Sequence, residues 1–170
     1  MSQGRQRCTP RRPARVAVLL LDPAWRRALP RPAGWARAVA RAALVAGDRP
    51  VARLTLALAD DARVRDLNVR FLGQDKPTNV LSFPAGDDGD GLGDIILARE
   101  TVLAEAGAQG KPLAHHVAHL VAHGVLHLIG HDHGTASQAS RMERLERRIL
   151  AGFGIPDPYL LPVKAGSRAA

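Results

Sequence analysis

The order of apolar and polar positions along the chain predicts four strands and several helices arranged around one dominant segment. That segment is 111–134, Lys-Pro-Leu-Ala-His-His-Val-Ala-His-Leu-Val-Ala-His-Gly-Val-Leu-His-Leu-Ile-Gly-His-Asp-His-Gly. It is mostly apolar between Pro112 and Gly130. Proline suits a first turn and glycine the position past a last one, so one buried helix is predicted from about Pro112 to Ile129. Upstream, Arg15–Leu21 reads as a short strand. Residues 23–46 read as a broken and then continuous helical stretch, in which Trp35, Val39 and Ala42 keep helical spacing before Gly47-Asp48. Val51–Leu58 alternates as a strand buried mainly on one face. Asp60 or Asp61 caps a helix with Val64, Leu67 and Phe71 inward and Gly73 at its end. Thr78–Phe83 and Leu92–Ala98 read as strands joined by a turn-rich loop, hence as an antiparallel pair. A short helix around Glu100–Ala108 precedes the histidine helix. Ser137–Gly152 is amphipathic, with Met142, Leu145 and Ile149 inward and Glu143 and Arg147 paired outward. The expectation is an α+β fold: a four-stranded mixed sheet packed with helices, the histidine-bearing helix central. It occupies a single domain over 15–156, between a basic arm at 1–14 and a tail at 157–170.

All seven histidines lie within the dominant segment. His123 and His127 are four apart, so their rings share a helix face one turn apart, and Gly130 turns the chain so that His133 can reach back. Two imidazoles from a helix and a third from the next turn leave a coordination position for water, the ligand count of a catalytic zinc site. His115, His119, His123 and His127 all follow a four-residue step, so spacing alone does not select the pair. The step drifts about 40° each time, and only the last pair adjoins the turn carrying His133. Metal is therefore assigned to His123, His127 and His133. His115, His116 and His119 are expected in supporting or structural roles, and His131 toward solvent. Asp132 is the nearest candidate to accept a ligand's second ring N–H.

His-Gly-Val-Leu-His-Leu-Ile-Gly-His-Asp-His at 123–133 resembles the signature of the YbeY family of bacterial endoribonucleases, His-Gly-x-Leu-His-Leu-x-Gly-x-Asp-His. Asp-Lys-Pro-Thr-Asn-Val-Leu-Ser-Phe-Pro at 75–84 and Leu-Gly-Asp-Ile at 92–95 match as well, so the resemblance spans roughly Val51 to Phe153. It implies a zincin-like metal-dependent hydrolase fold, one zinc ion on the three spaced histidines, and endonucleolytic cleavage of single-stranded RNA in maturation of the 3′ end of 16S rRNA. It also implies rRNA and the small ribosomal subunit as partners, with ribosomal proteins and an Era-type GTPase as further ones. The chain departs from the family at one point. The family arginine before the glycine that leads into the 75–84 stretch is replaced by Leu72 in Arg70-Phe71-Leu72-Gly73. A leucine cannot hold a phosphate, which leaves Arg70 or Lys76 as catalytic candidates beside the metal-activated water. In an extended strand Thr78 and Ser82 point opposite to Leu81 and Phe83, which makes them the candidates to face substrate.

Composition narrows the alternatives. A net charge of +8 favours an anionic partner. The lone cysteine, Cys8, allows no disulfide framework, consistent with a reducing cytosol and a cytoplasmic location. No apolar run approaches a membrane span, and Val16–Leu21 is too short for a signal-peptide core. The acidic loop at Asp87, Asp88 and Asp90 is not a calcium loop, since the closing position counted from Asp88 is Arg99. Two other readings of the site stand beside the nuclease. A zinc metallopeptidase would carry His-Glu-x-x-His, but Gly124 follows His123. A non-catalytic zinc-containing RNA-binding factor of ribosome assembly would bind RNA without cutting it.

Overall fold

The computed structural model describes residues 14–50, 52–86 and 91–160. Its elements are β1 (Arg15–Leu20), α1 (Trp25–Ala28), α2 (Pro32–Ala46), β2 (Arg53–Ala59), α3 (Asp61–Leu72), β3 (Val80–Pro84), β4 (Gly91–Ala98), α4 (Arg99–Ala108), α5 (Leu113–Leu128) and α6 (Ala136–Ala151). The sheet order is β1-β2-β4-β3. β1 and β4 run parallel to β2, and β3 is antiparallel to β4 with Ser82 opposite Ile95, so the sheet is mixed as the pattern implied.

Strand alternation divides the core in two. Leu54, Leu56, Leu58, Ile95 and Leu97 turn to one face and join Val39, Leu44, Val117, Val121, Leu126, Met142 and Leu150 from α2, α5 and α6. Ala59, Ile96, Ala98 and Leu81 turn to the other face and meet Val64 of α3. Each large aliphatic side chain so buried contributes about 1.5–3 kcal/mol. α5 is therefore pressed between the sheet and the other helices, and nine of its residues are buried. Its N-terminal end is tied to α2 by Trp35 Nε1, which donates to the Ala114 carbonyl at 3.0 Å.

Several boundaries shift for local reasons. β3 begins at Val80 rather than Thr78, and at its start the Asn79 side chain accepts from the Val80 N–H at 2.7 Å. Asp60 is the cap of α3, accepting from the Arg63 N–H at 2.9 Å, while Asp61 reaches across to Thr101 at the start of α4. The chain beyond Pro156 is not all tail: residues 157–160 fold back onto the domain. Arg147 holds Asp157 at 2.8 Å, and Lys111 donates to the Pro158 carbonyl at 2.8 Å. The basic arm up to residue 13, the acidic loop at 87–90 and residues 161–170 lie outside the described residues.

Candidate metal centre

α5 carries most of the histidines, and its periodicity sets where they point. At 100° per residue, His116, His119, His123 and His127 fall within an arc of about 80°, while His115 lies outside it. The helix ends in a glycine turn. Gly130 adopts φ 93°, the His131 N–H bonds back to the Leu126 carbonyl, and the Gly130 N–H bonds to that of His127. A side chain other than glycine is strained at that angle. The reversal brings His133 back over the helix. Ring centroids then lie 4.5 Å apart for His123 and His127, 4.9 Å for His127 and His133, and 5.6 Å for His123 and His133. One ligand nitrogen from each ring lies within 4.8 Å of the others, the only group of three or more such residues placed to hold a metal among the described residues.

Hydrogen bonds fix which nitrogens are free. Glu146 of α6 is fully buried and ionised, so it can only accept. Its Oε1 lies 2.8 Å from His123 Nδ1, which must carry the ring proton and leave Nε2 as a bare lone pair. That lone pair faces His127 Nε2 at 3.1 Å. Two zinc-bound imidazole nitrogens in tetrahedral geometry are about 3.3–3.4 Å apart, from bond lengths of ~2.0–2.1 Å. The pair therefore fits a shared cation. His119 Nε2 donates to Glu146 Oε2 at 3.2 Å, and His116 Nε2 donates to Glu105 at 2.8 Å. On the ladder of four-residue steps, His119 is thus committed to Glu146 and His115 lies outside the shared arc, so only the last pair, His123 and His127, is left to face one ion.

The electrostatics follow from the same contacts. Burial alone would raise the Glu146 carboxyl, but the hydrogen bonds from His119, His123 and Tyr159 outweigh it and hold the group at about 2. Burial first, and then the neighbouring His123 and His133 rings, push the His127 imidazole down, toward the neutral form a metal needs. Burial also lowers His116, and its Nδ1 is buried without a partner.

The expected site residues fare differently. Asp132 does not serve the ligand rings; its carboxylate accepts from the backbone N–H of His133 at 2.8 Å and shapes the turn. Glu146 accepts the His123 ring proton instead. It occupies the apolar stripe of α6 with Met142, Ile149 and Leu150, and a charged residue in such a stripe is the signal that marks it. His131 is half-buried rather than solvent-facing. Ser82 faces α5: a Cβ placed on Gly124 would lie 3.1 Å from its Oγ. Thr78 is half-buried at the entrance to β3, and Asn79 is taken up by Glu105 at 2.9 Å. Arg70 and Leu72 are on α3, against the opposite sheet face from α5. The Arg70 side chain is 68% exposed and paired with Asp66 at 3.1 Å. Lys76 is exposed in the loop before β3.

Residues 33–154 match the family model of endoribonuclease YbeY. The chain belongs to the YbeY family. An endoribonuclease YbeY of Azorhizobium caulinodans is 52% identical over 157 residues, which cover 88% of this chain and 98% of that protein. One from Rhodopseudomonas palustris strain BisA53 is 49% identical over 156 residues, covering 86% and 91%. The solution structure of TM1509 from Thermotoga maritima aligns over 88% of this chain and 99% of its own, with a TM-score of 0.54 and 20% identity. That structural likeness supports the α+β architecture of this chain. The three-histidine cluster falls inside the segment matched by the family model, as does Glu146.

Proposed function

We propose that this chain is a metal-dependent endoribonuclease that hydrolyses single-stranded RNA and acts in maturation of the 3′ end of 16S rRNA. The observation that carries the reading is the convergence of His123, His127 and His133, in a YbeY-family chain, with the His123 ring proton held on Nδ1 by its hydrogen bond to Glu146. One zinc ion per chain is the proposed occupant, because three neutral imidazoles with an open position suit it. When bound, such an ion supplies a Lewis acid and an activated water for attack on a phosphodiester.

The protein's own residues do the rest. Glu146 orients His123, Gly130 aims His133, and β3 at the sheet edge brings Ser82 alongside α5. Ser82, and Thr78 at the entrance to that strand, are the proposed contacts to substrate. With Leu72 in place of a cation, Lys76 is the better-supported partner for a phosphate, since Arg70 is engaged by Asp66. Gly124, where a metallopeptidase would carry its glutamate, packs against Ser82 and Ile95 and supplies no base. The positive charge of the chain supports rRNA and the small ribosomal subunit as partners, and a cytoplasmic site of action accords with them. Ribosomal proteins and an Era-type GTPase complete the proposed set. No helix among the described residues is long and apolar enough to cross a membrane.

The test is metal analysis of the purified protein with cleavage of a single-stranded RNA, with and without chelator. About one equivalent of zinc and chelator-sensitive cleavage are expected. Intact RNA after incubation with the metal-loaded protein would overturn the nuclease reading and leave an RNA-binding role in ribosome assembly.

A further inference from the structure

Tyr159 lies beyond the last helix, and its ring is 39% exposed. Its hydroxyl nevertheless donates a short hydrogen bond to Glu146 Oε2, the oxygen that also accepts from His119. The His119 ring meets the Tyr159 ring edge-on at 5.4 Å. Arg147 lies over the same ring at 4.9 Å and grips Asp157 two residues earlier, while Lys111 holds the Pro158 carbonyl. The segment is thus fastened at three points, and what it delivers is one phenolic proton to a fully buried carboxylate. Burial and the Glu146 charge both push the phenol's pKa upward, so it stays a donor.

We propose that Tyr159 is a positioning residue of the metal centre, acting through Glu146. The donors at Glu146 fill three of its acceptor positions. A carboxylate has about four lone-pair sites. Here Oε1 accepts a hydrogen bond from His123 Nδ1, while Oε2 accepts from His119 and Tyr159. With Oε2 doubly engaged, the carboxylate plane is fixed, and Oε1 is held on the His123 Nδ1 axis. That fixes the tautomer and rotation of His123 and directs its Nε2 at the point shared with His127. Carboxylates behind a ligating histidine raise its basicity and typically change metal affinity by about 10- to 100-fold. The C-terminal segment is in this way part of the metal centre, although it supplies no ligand.

The inference rests on the proposed metal site, and the test separates the two. Zinc dissociation constants are measured by chelator competition for the wild type, Tyr159→Phe, Glu146→Gln and the double variant, and the visible spectrum of each cobalt-loaded form is recorded. Tyr159→Phe should weaken zinc about 10-fold and Glu146→Gln about 10- to 100-fold. The double variant should be no weaker than Glu146→Gln alone, because the phenol acts only through that carboxylate. A cobalt spectrum altered by Tyr159→Phe would report the shifted His123. Equal zinc affinity and an unchanged spectrum in Tyr159→Phe overturn the inference while the site stands, as do strictly additive effects in the double variant. If Glu146→Gln fails to fold, the affinity and spectrum of Tyr159→Phe still decide. A wild type that takes up no metal overturns both the site and the inference.

Discussion

Gly124 offers a measurement in which two known effects oppose each other. It lies in the middle of α5, where glycine is unfavourable, and replacing it by alanine gains about 1 kcal/mol of helix propensity. The new Cβ would lie 3.1 Å from Ile95 Cδ1, 3.2 Å from Ile95 Cγ2 and 3.1 Å from Ser82 Oγ. All three are tighter than ordinary contact. Ser82 can rotate, but Ile95 is fully buried between α5 and the sheet and cannot move without displacing other core side chains. Overpacking of this kind costs about 1–3 kcal/mol. Gly124→Ala should therefore be neutral to destabilising by about 2 kcal/mol in urea unfolding of the metal-free protein, and Ile95→Val should relieve part of the strain. Alone, Ile95→Val costs about 0.5–1.5 kcal/mol; in the Gly124→Ala background it should cost less, because Cδ1 is the atom removed. If Gly124→Ala stabilises the protein by a full ~1 kcal/mol and the two substitutions are additive, helix and sheet are not in the close contact described.

Three other outcomes follow from the structure. His127→Ala should abolish stoichiometric zinc uptake and remove the metal-dependent part of the melting temperature, measured as the difference with and without chelator; full occupancy in that variant would refute the ligand set. Asp22 is held below its usual carboxylate range chiefly by the hydrogen bond from Arg99, at 2.5 Å, so its contribution to stability is present above about pH 4 and lost as the pH falls through its lowered folded value. Asp22→Asn should thus cost about 1 kcal/mol at neutral pH and flatten the acid limb, and an acid limb as steep as wild type would count against this. Leu72→Arg should raise RNA cleavage several-fold if the end of α3 faces the phosphate; an unchanged rate assigns that role to Lys76 or places the position away from substrate.

Much of the fold was legible because its periods are clean. The alternation in β2 separates two faces, and the helices end where Gly47, Gly73 and Gly130 stand. The cluster of His123, His127 and His133 was legible because the decisive contacts are local: a one-turn step and a glycine turn. Glu146 and Tyr159 were not, because their roles depend on how α6 packs against α5, which no short-range spacing encodes. Asn79 shows the same limit. It shares the strand side of Leu81 and Phe83, as alternation says, yet its amide is drawn to Glu105 by a helix 26 residues away in sequence.

The three histidines placed to hold an ion occupy only eleven residues, from His123 to His133. Closing so short a loop around an ion costs little chain entropy, so the unfolded polypeptide can gather the same imidazoles, loosely, without the rest of the domain. An ion that also binds the denatured ensemble stabilises the native one by less than its native affinity implies. The core of α2, α5, α6 and the sheet closes through side chains that do not touch the ion, so the metal-free chain should fold by itself. During synthesis the histidines emerge almost together, ahead of Glu146 and Tyr159. On the proposed metal site, a nascent chain would thus capture an ion early and weakly, and tighten its hold only when the last helix and the segment behind it arrive.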